Sequence, residues 1–205
     1  MTDDPIATLA SAATSFAGLV REIPDSAWDS PGLGDWDLRS LVGHTSRSLI
    51  TVSAYLKTPA EREDITSPQQ YYVHARDYAS QAGTDAIVER GRQAGRDLGS
   101  DPAAAVGALV ERVCNELTGI DDRLIEVIGA VGIRLYAYIP TRTFELAVHS
   151  LDIARAAGIR YALPDDVLSG AAELAAGIAV AIGEGQTVLL SLTGRTALPP
   201  SFSVV

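Results

Sequence analysis

The sequence predicts an all-α protein, an antiparallel bundle of four long helices with shorter helices added. Apolar residues recur at three- and four-residue spacing through nearly every segment, and convincing apolar–polar alternation is absent. The breaks between periodic segments fall at Asp, Pro and Gly, the residues that start and stop helices.

Asp4 to Ile23 reads as a first helix, with Pro5 in its first turn and Ile6, Leu9, Phe16, Leu19 and Val20 on a buried stripe. Pro24 ends it, and Pro31, Gly32 and Gly34 mark a loop. Asp37 then offers an N-cap for a second helix running to about Leu56. After Pro59 and the charged run Glu61 to Asp64, one long polar helix is expected from Pro68 to Asp97, closed by Gly99 and Ser100. Asp101-Pro102 caps a fourth helix with Val106, Leu109, Val110, Val113 and Leu117 at helical spacing. Asp121 to Gly129 is read as a short helical segment, and Gly132 to Tyr138 as the approach to a helix with Pro140 in its first turn and Gly158 at its end. A last helix, Pro164 to Gly183, precedes a tail over 184–205 that looks irregular.

At 205 residues the chain fits one domain, 1–205, with that tail as its C-terminal part. Hydrophobic residues at 47% and charged residues at 20% exclude wholesale disorder. A net charge of −10 with scattered arginines leaves no basic stripe, so nucleic acid is not an expected partner. The acidic N-terminus lacks a signal-peptide pattern. The most apolar stretch, Gly170 to Gly183, contains Glu173 and is too short for the ~20 residues of a membrane span. Cys114 stands alone, which excludes an intramolecular disulfide and fits a reduced, cytoplasmic setting, with the thiol as a small buried residue.

Glu145 and His149, four residues apart, share one helix face and can point at one ion. His44 is the natural third ligand, since the chain has three histidines and His74 reads as a surface residue of the polar segment. Two imidazoles and one carboxylate leave a coordination position open, as in catalytic zinc sites; Fe(II), nickel and manganese suit the same donors. Arg142, Glu145, His149 and Asp152 form one polar stripe flanked by Phe144, Val148 and Leu151 on one side and Leu146 and Ile153 on the other, which points to a cleft. Alternatives stand beside each assignment. His44 also reads as a half-buried histidine bonded to Thr51 or a backbone carbonyl, Asp152 as an orienting group for the site or a surface partner of Arg155, and Arg142 as an anion binder or a member of an internal ion pair. Tyr55 reads as a pocket or a core residue, and Trp36 as a packing anchor.

Trp36-Asp-Leu-Arg-Ser-Leu-Val-Gly-His44, Thr141-Arg-Thr-Phe-Glu145 and Val148-His149-Ser-Leu-Asp152 resemble the two metal motifs of the mycothiol-dependent maleylpyruvate isomerase family, part of the DinB-like group of metal-binding helical bundles. The resemblance runs from about Asp4 to Gly183. It implies His44, Glu145 and His149 as ligands of Zn²⁺, with the family's motif Arg and Asp falling on Arg142 and Asp152. It also implies mycothiol as a thiol cosubstrate, a small electrophilic substrate, a thiol transferase or isomerase reaction, and pairing into a homodimer. The Ala-, Gly- and Arg-rich composition, with Lys57 the sole lysine, agrees with an actinobacterial origin. Pro140 replaces an ordinary helix former of the family. Too few residues follow the bundle for the second α+β domain of the isomerase that names the family, so maleylpyruvate isomerisation itself is not expected. The rival readings are a hydrolase that activates water on the metal, and a non-catalytic bundle that binds a small molecule or partner in the same cleft.

Overall fold

The structure, a computed structural model, describes residues 4–82 and 84–205. Four helices form the bundle: α1 (Pro5–Arg21), α2 (Leu38–Tyr55), α5 (Pro102–Leu117) and α6 (Leu135–Ala157), numbered in chain order among the described helices. They close a ring in which α1 and α2 each pack against both α5 and α6. This is a DinB-like all-α bundle, and its interior is filled from every wall by side chains such as Phe16, Leu41, Leu49, Val113, Ile139 and Leu146. Each such side chain contributes roughly 1.5–3 kcal/mol through burial. Among the described residues, no helix is long and apolar enough to cross a membrane.

The caps fall where the sequence places them. Asp4, Asp37 and Asp101 accept hydrogen bonds from the backbone N–H groups of Ile6, Ser40 and Ala104 at 3.0, 2.7 and 2.9 Å, each worth about 1 kcal/mol. Gly158 follows α6 in the left-handed region, φ 67°, which a residue without Cβ adopts freely. Around the bundle, α4 (Thr84–Asp97) lies on α2, α3 (Pro68–Ala82) packs against α6 and α7 (Asp165–Ala181), and α7 also covers α6 and α1.

Three expectations are revised. The helix expected over 68–97 is described as α3 and α4, which pack against different partners, and Gly83 between them lies outside the described residues. The segment read as helical at 121–129 instead belongs to an antiparallel hairpin, β1 (Leu124–Val127) with β2 (Val131–Arg134). Ile125, Val127 and Ile133 bury one face of it, and bridges to Pro59 and Ile65 tie it to the loop after α2.

Pro140 is not in the first turn of α6, which begins at Leu135. The early start is held by the hairpin's approach, since Leu135 N–H donates to the Arg123 carbonyl at 2.8 Å and Tyr136 N–H to Asp122 Oδ1 at 3.0 Å. Proline then removes one intrahelical bond near an end where few have formed. Finally, the tail contains a helix, α8 (Gly185–Leu192), packed on α7; residues 193–205 are irregular as expected.

Candidate metal site and its cavity

Because α2 and α6 are neighbours in the ring, His44 on the first meets Glu145 and His149 on the second. One potential ligand atom from each lies within 4.8 Å of the other two. His149 Nε2 is 3.4 Å from Glu145 Oε2, and its Nδ1 is 3.3 Å from Asp152 Oδ2. Asp152 contacts both partners weighed for it, since its other oxygen receives a hydrogen bond from Arg155 at 3.0 Å. The rings of His44 and His149 meet edge to face with centroids 5.0 Å apart.

His44 is not bonded to Thr51, whose hydroxyl instead donates to the Ser48 carbonyl and accepts from the Tyr138 hydroxyl at 3.0 Å. Nδ1 of His44 is buried with no hydrogen-bond partner among the described residues, which removes the bonded-core-histidine alternative. Trp36 packs on the imidazole at 4.3 Å between centroids and is anchored by its Nε1–H donating to the Val88 carbonyl of α4 at 2.9 Å, so it is the packing anchor expected of it.

Burial, then the neighbouring charge of His149, lowers the His44 pKa to about 4, so this imidazole is neutral at pH 7. His149 is the reverse. Burial pulls it down, but hydrogen bonds to Asp152 and Glu145 outweigh that and raise it to about 9. For Glu145 burial works against the carboxylate, yet the bond from His149 and the charge of Arg142 carry its pKa below the usual range. Without an ion the pocket thus holds one neutral histidine and one charged histidine against a carboxylate.

Sequence reasoning missed Tyr72. Its hydroxyl, on α3, lies 2.8 Å from Glu145 Oε1 and donates to it, which fixes the carboxylate with Oε2 toward His149. Nothing in the polar pattern of α3 marks that residue. His74, also on α3, is not a plain surface residue: it is half-buried, with Nε2 3.1 Å from the Ile128 carbonyl at the hairpin turn.

A cavity of about 220 Å³ opens beside the triad, lined by His44, Glu145 and, among others, Tyr55, Tyr71, Tyr72 and Tyr138. Tyr55 is therefore a pocket residue, half-buried, its hydroxyl pKa raised chiefly by burial. Arg142 lines the same cavity and has no carboxylate within ion-pair distance among the described residues, contrary to the internal ion pair weighed for it. Its guanidinium lies 5.3 and 5.0 Å from the ring centroids of Tyr71 and Tyr138. Tyr138 had a sequence signal, since it stands one turn before Arg142 on the same polar stripe of α6.

No curated protein and no solved structure matches the chain. The family model described as the mycothiol maleylpyruvate isomerase N-terminal domain matches residues 9–154, a stretch that contains α2, both chain segments supplying the triad, and most of the bundle. The chain belongs to the mycothiol maleylpyruvate isomerase N-terminal domain family.

Proposed function

We propose that this chain is a metal-dependent, thiol-using enzyme in which His44, Glu145 and His149 hold Zn²⁺ and mycothiol is joined to, or adds reversibly to, a small electrophile. The observation that carries the reading is the convergence of the three donors within 4.8 Å at the wall of a cavity. Their chemistry suits a divalent ion: a neutral imidazole with a nitrogen that has no hydrogen-bond partner among the described residues, a second imidazole oriented by a carboxylate, and an ionised glutamate. A divalent ion there would favour the thiolate of a bound thiol, whose free pKa is near ~8.5, at neutral pH.

The chain's own residues prepare this arrangement. Asp152 accepts the Nδ1–H of His149 and so directs its Nε2 lone pair toward the triad. Tyr72 holds Glu145 by one oxygen and leaves the other to the site. Trp36 closes one side of His44 against solvent. The cavity then receives the electrophile beside the thiol, and whether the adduct leaves or reverts after bond rotation separates transferase from isomerase.

The test is elemental analysis of protein purified without added metal, followed by calorimetric titration of mycothiol into the zinc-loaded and metal-free forms. Stoichiometric zinc that disappears in His44→Ala, Glu145→Ala and His149→Ala with helicity retained, and tighter thiol binding to the zinc form, are the expected results. Equal thiol affinity for both forms overturns the thiol chemistry, and failure of zinc to bind on titration overturns the metal site.

A further inference from the structure

The cavity beside the triad is deep on one side and open on the other. Tyr71, Tyr72 and Tyr138 of its lining are buried, whereas Ala75, Tyr78 and Ile128 are partly exposed and form part of its rim. Two elements meet there. Ala75 and Tyr78 stand on the second half of α3, and Ile128 belongs to the turn Ile128–Ala130 that joins β1 to β2. The strands of this hairpin are pinned from outside, since Glu126 N–H donates to the Thr58 carbonyl at 2.7 Å and Asp64 N–H donates to the Gly132 carbonyl at 2.8 Å. The turn between them is held differently.

It meets α3 through His74, a side chain that the proposed chemistry leaves without a role. The Ile128 carbonyl can only accept, so His74 Nε2 carries the proton and donates it across 3.1 Å. The fit around this bond is close. Gly129, at φ 83°, has no Cβ, and one built there would lie 2.6 Å from His74 Nε2 and 3.6 Å from the Tyr78 ring. On its other side the Ile128 N–H faces the Tyr55 hydroxyl of α2, so the turn spans from α2 to α3 across the rim. The turn is also strained. Ala130 adopts φ 56°, in the left-handed region that a residue with a Cβ avoids. Such strain persists only where the surroundings over-determine it. The restraints here are the turn bond from Ala130 N–H to the Val127 carbonyl, at 3.0 Å, and the bond from His74.

We infer that the turn Ile128–Ala130 is a strap across the rim of the cavity, latched to α3 by His74, and that its release sets the rate at which molecules reach the cavity. Latched, the turn seats Ile128 against the cavity and closes the gap between α2 and α3. Unlatched, Ala130 leaves the left-handed region, and the strain released offsets part of the lost hydrogen bond, so the turn opens locally without unfolding the bundle. The strap itself does not depend on the metal reading; that the triad is what it guards does rest on that reading.

Access is read with a buried reporter. Ser48 lines the cavity and is buried, so Ser48→Cys in a Cys114→Ser background, kept metal-free, places a single thiol behind the strap. Its rate of modification by a small methanethiosulfonate is then compared among latch variants. His74→Phe keeps a ring and removes the donor, and modification should be faster by about 2- to 10-fold, the factor one hydrogen bond gives. His74→Gln, whose amide N–H reaches the same carbonyl, should restore most of the parent rate. Ala130→Gly, which relieves the strain of the latched turn, should slow it. An unchanged rate in His74→Phe, no rescue in His74→Gln, or a rate in Ala130→Gly at or above that of the parent overturns the inference. If His74→Phe does not fold, the sign of the Ala130→Gly effect decides. In zinc-loaded protein with Ser48 intact, His74→Phe should speed transfer of zinc to a chelator by the same factor at unchanged affinity, and an unchanged transfer rate overturns the guarding of the triad. A protein that binds no zinc removes the metal reading, and the thiol rates still decide the strap.

Discussion

Replacement of Gly43 by alanine tests whether the α2–α4 crossing positions the site. Gly43 immediately precedes His44, and at this point α2 meets α4 backbone to backbone. A Cβ on Gly43 would lie 2.5 Å from the Ala94 carbonyl carbon and the Gly95 Cα, and still closer to the Gly95 nitrogen. These are main-chain atoms of a helix, so no side-chain rotation relieves the contact. Ordinary contacts begin at 3.4 Å, so α4 must retreat by roughly 1 Å. Overpacking of this kind costs about 1–3 kcal/mol, against a gain of about 1 kcal/mol in helix propensity from Gly to Ala. The net expectation is a loss of up to about 2 kcal/mol, or a melting temperature lower by as much as roughly 8 °C for a chain of this length. Zinc affinity should fall with it, because α4 anchors Trp36 through Val88, and Trp36 packs on His44. Gly107→Ala is the control: it lies within α5 with nothing within 4 Å of its Cβ, so propensity alone should raise stability by up to about 1 kcal/mol. Thermal and urea unfolding of both variants measure this. Should Gly43→Ala melt at or above the wild type while Gly107→Ala rises as expected, the close crossing is not a constraint and the reasoning fails.

Asp152→Asn should lower zinc affinity by about 10- to 100-fold in chelator competition, as loss of a partner that orients a metal-bound histidine does; unchanged affinity would show that Asp152 serves Arg155 alone. Zinc affinity should also rise with pH, because the ion must displace the proton that His149 keeps up to about 9, whereas His44, with a pKa near 4, is already neutral. Between pH 6.5 and 8.5 the slope is about tenfold per unit, with proton uptake by the buffer on binding, and a flat profile refutes it. In the metal-free protein the raised His149 pKa contributes stability that is complete below its ordinary value of 6.5 and is lost as pH rises through about 9. Urea midpoints of the metal-free form should therefore carry a component that declines over that window, and this component should be missing in His149→Gln.

The helices of the bundle were legible because their signals are local. Asp37 and Asp101 sit one residue before the apolar period begins, and the periodicity itself states which face is buried. The hairpin was not, because its strands are four residues long and both adjoin bulky apolar residues; what makes them strands is pairing with each other and with the loop at Pro59 and Ile65, a contact no local pattern expresses. For the site, the stripe Arg142, Glu145, His149 and Asp152 could be read from the 3.6-residue period, because all four stand on one helix. The meeting with His44 required α2 beside α6, which the metal-motif resemblance supplied and periodicity did not. Tyr72 and Arg90 come from helices whose placement depends on which neighbour each covers, so their part in the cavity is a property of packing alone.

The charge order along that stripe explains why so many ionic groups can sit in a bundle wall. From Arg142 through Glu145 and His149 to Asp152 the signs alternate when His149 is protonated, as its neighbours hold it. Each charge thus has an opposite one within a turn, and the desolvation that would expel an isolated charge is offset along the row. Exchange of the His149 proton for a divalent ion leaves the row with surplus positive charge beside Arg47 and Arg142. Neutral water in the open position would answer that surplus poorly, whereas a thiolate at the ion would answer it directly. The same electrostatics that keep the metal-free stripe balanced would therefore favour an anionic ligand at the ion once the triad is filled.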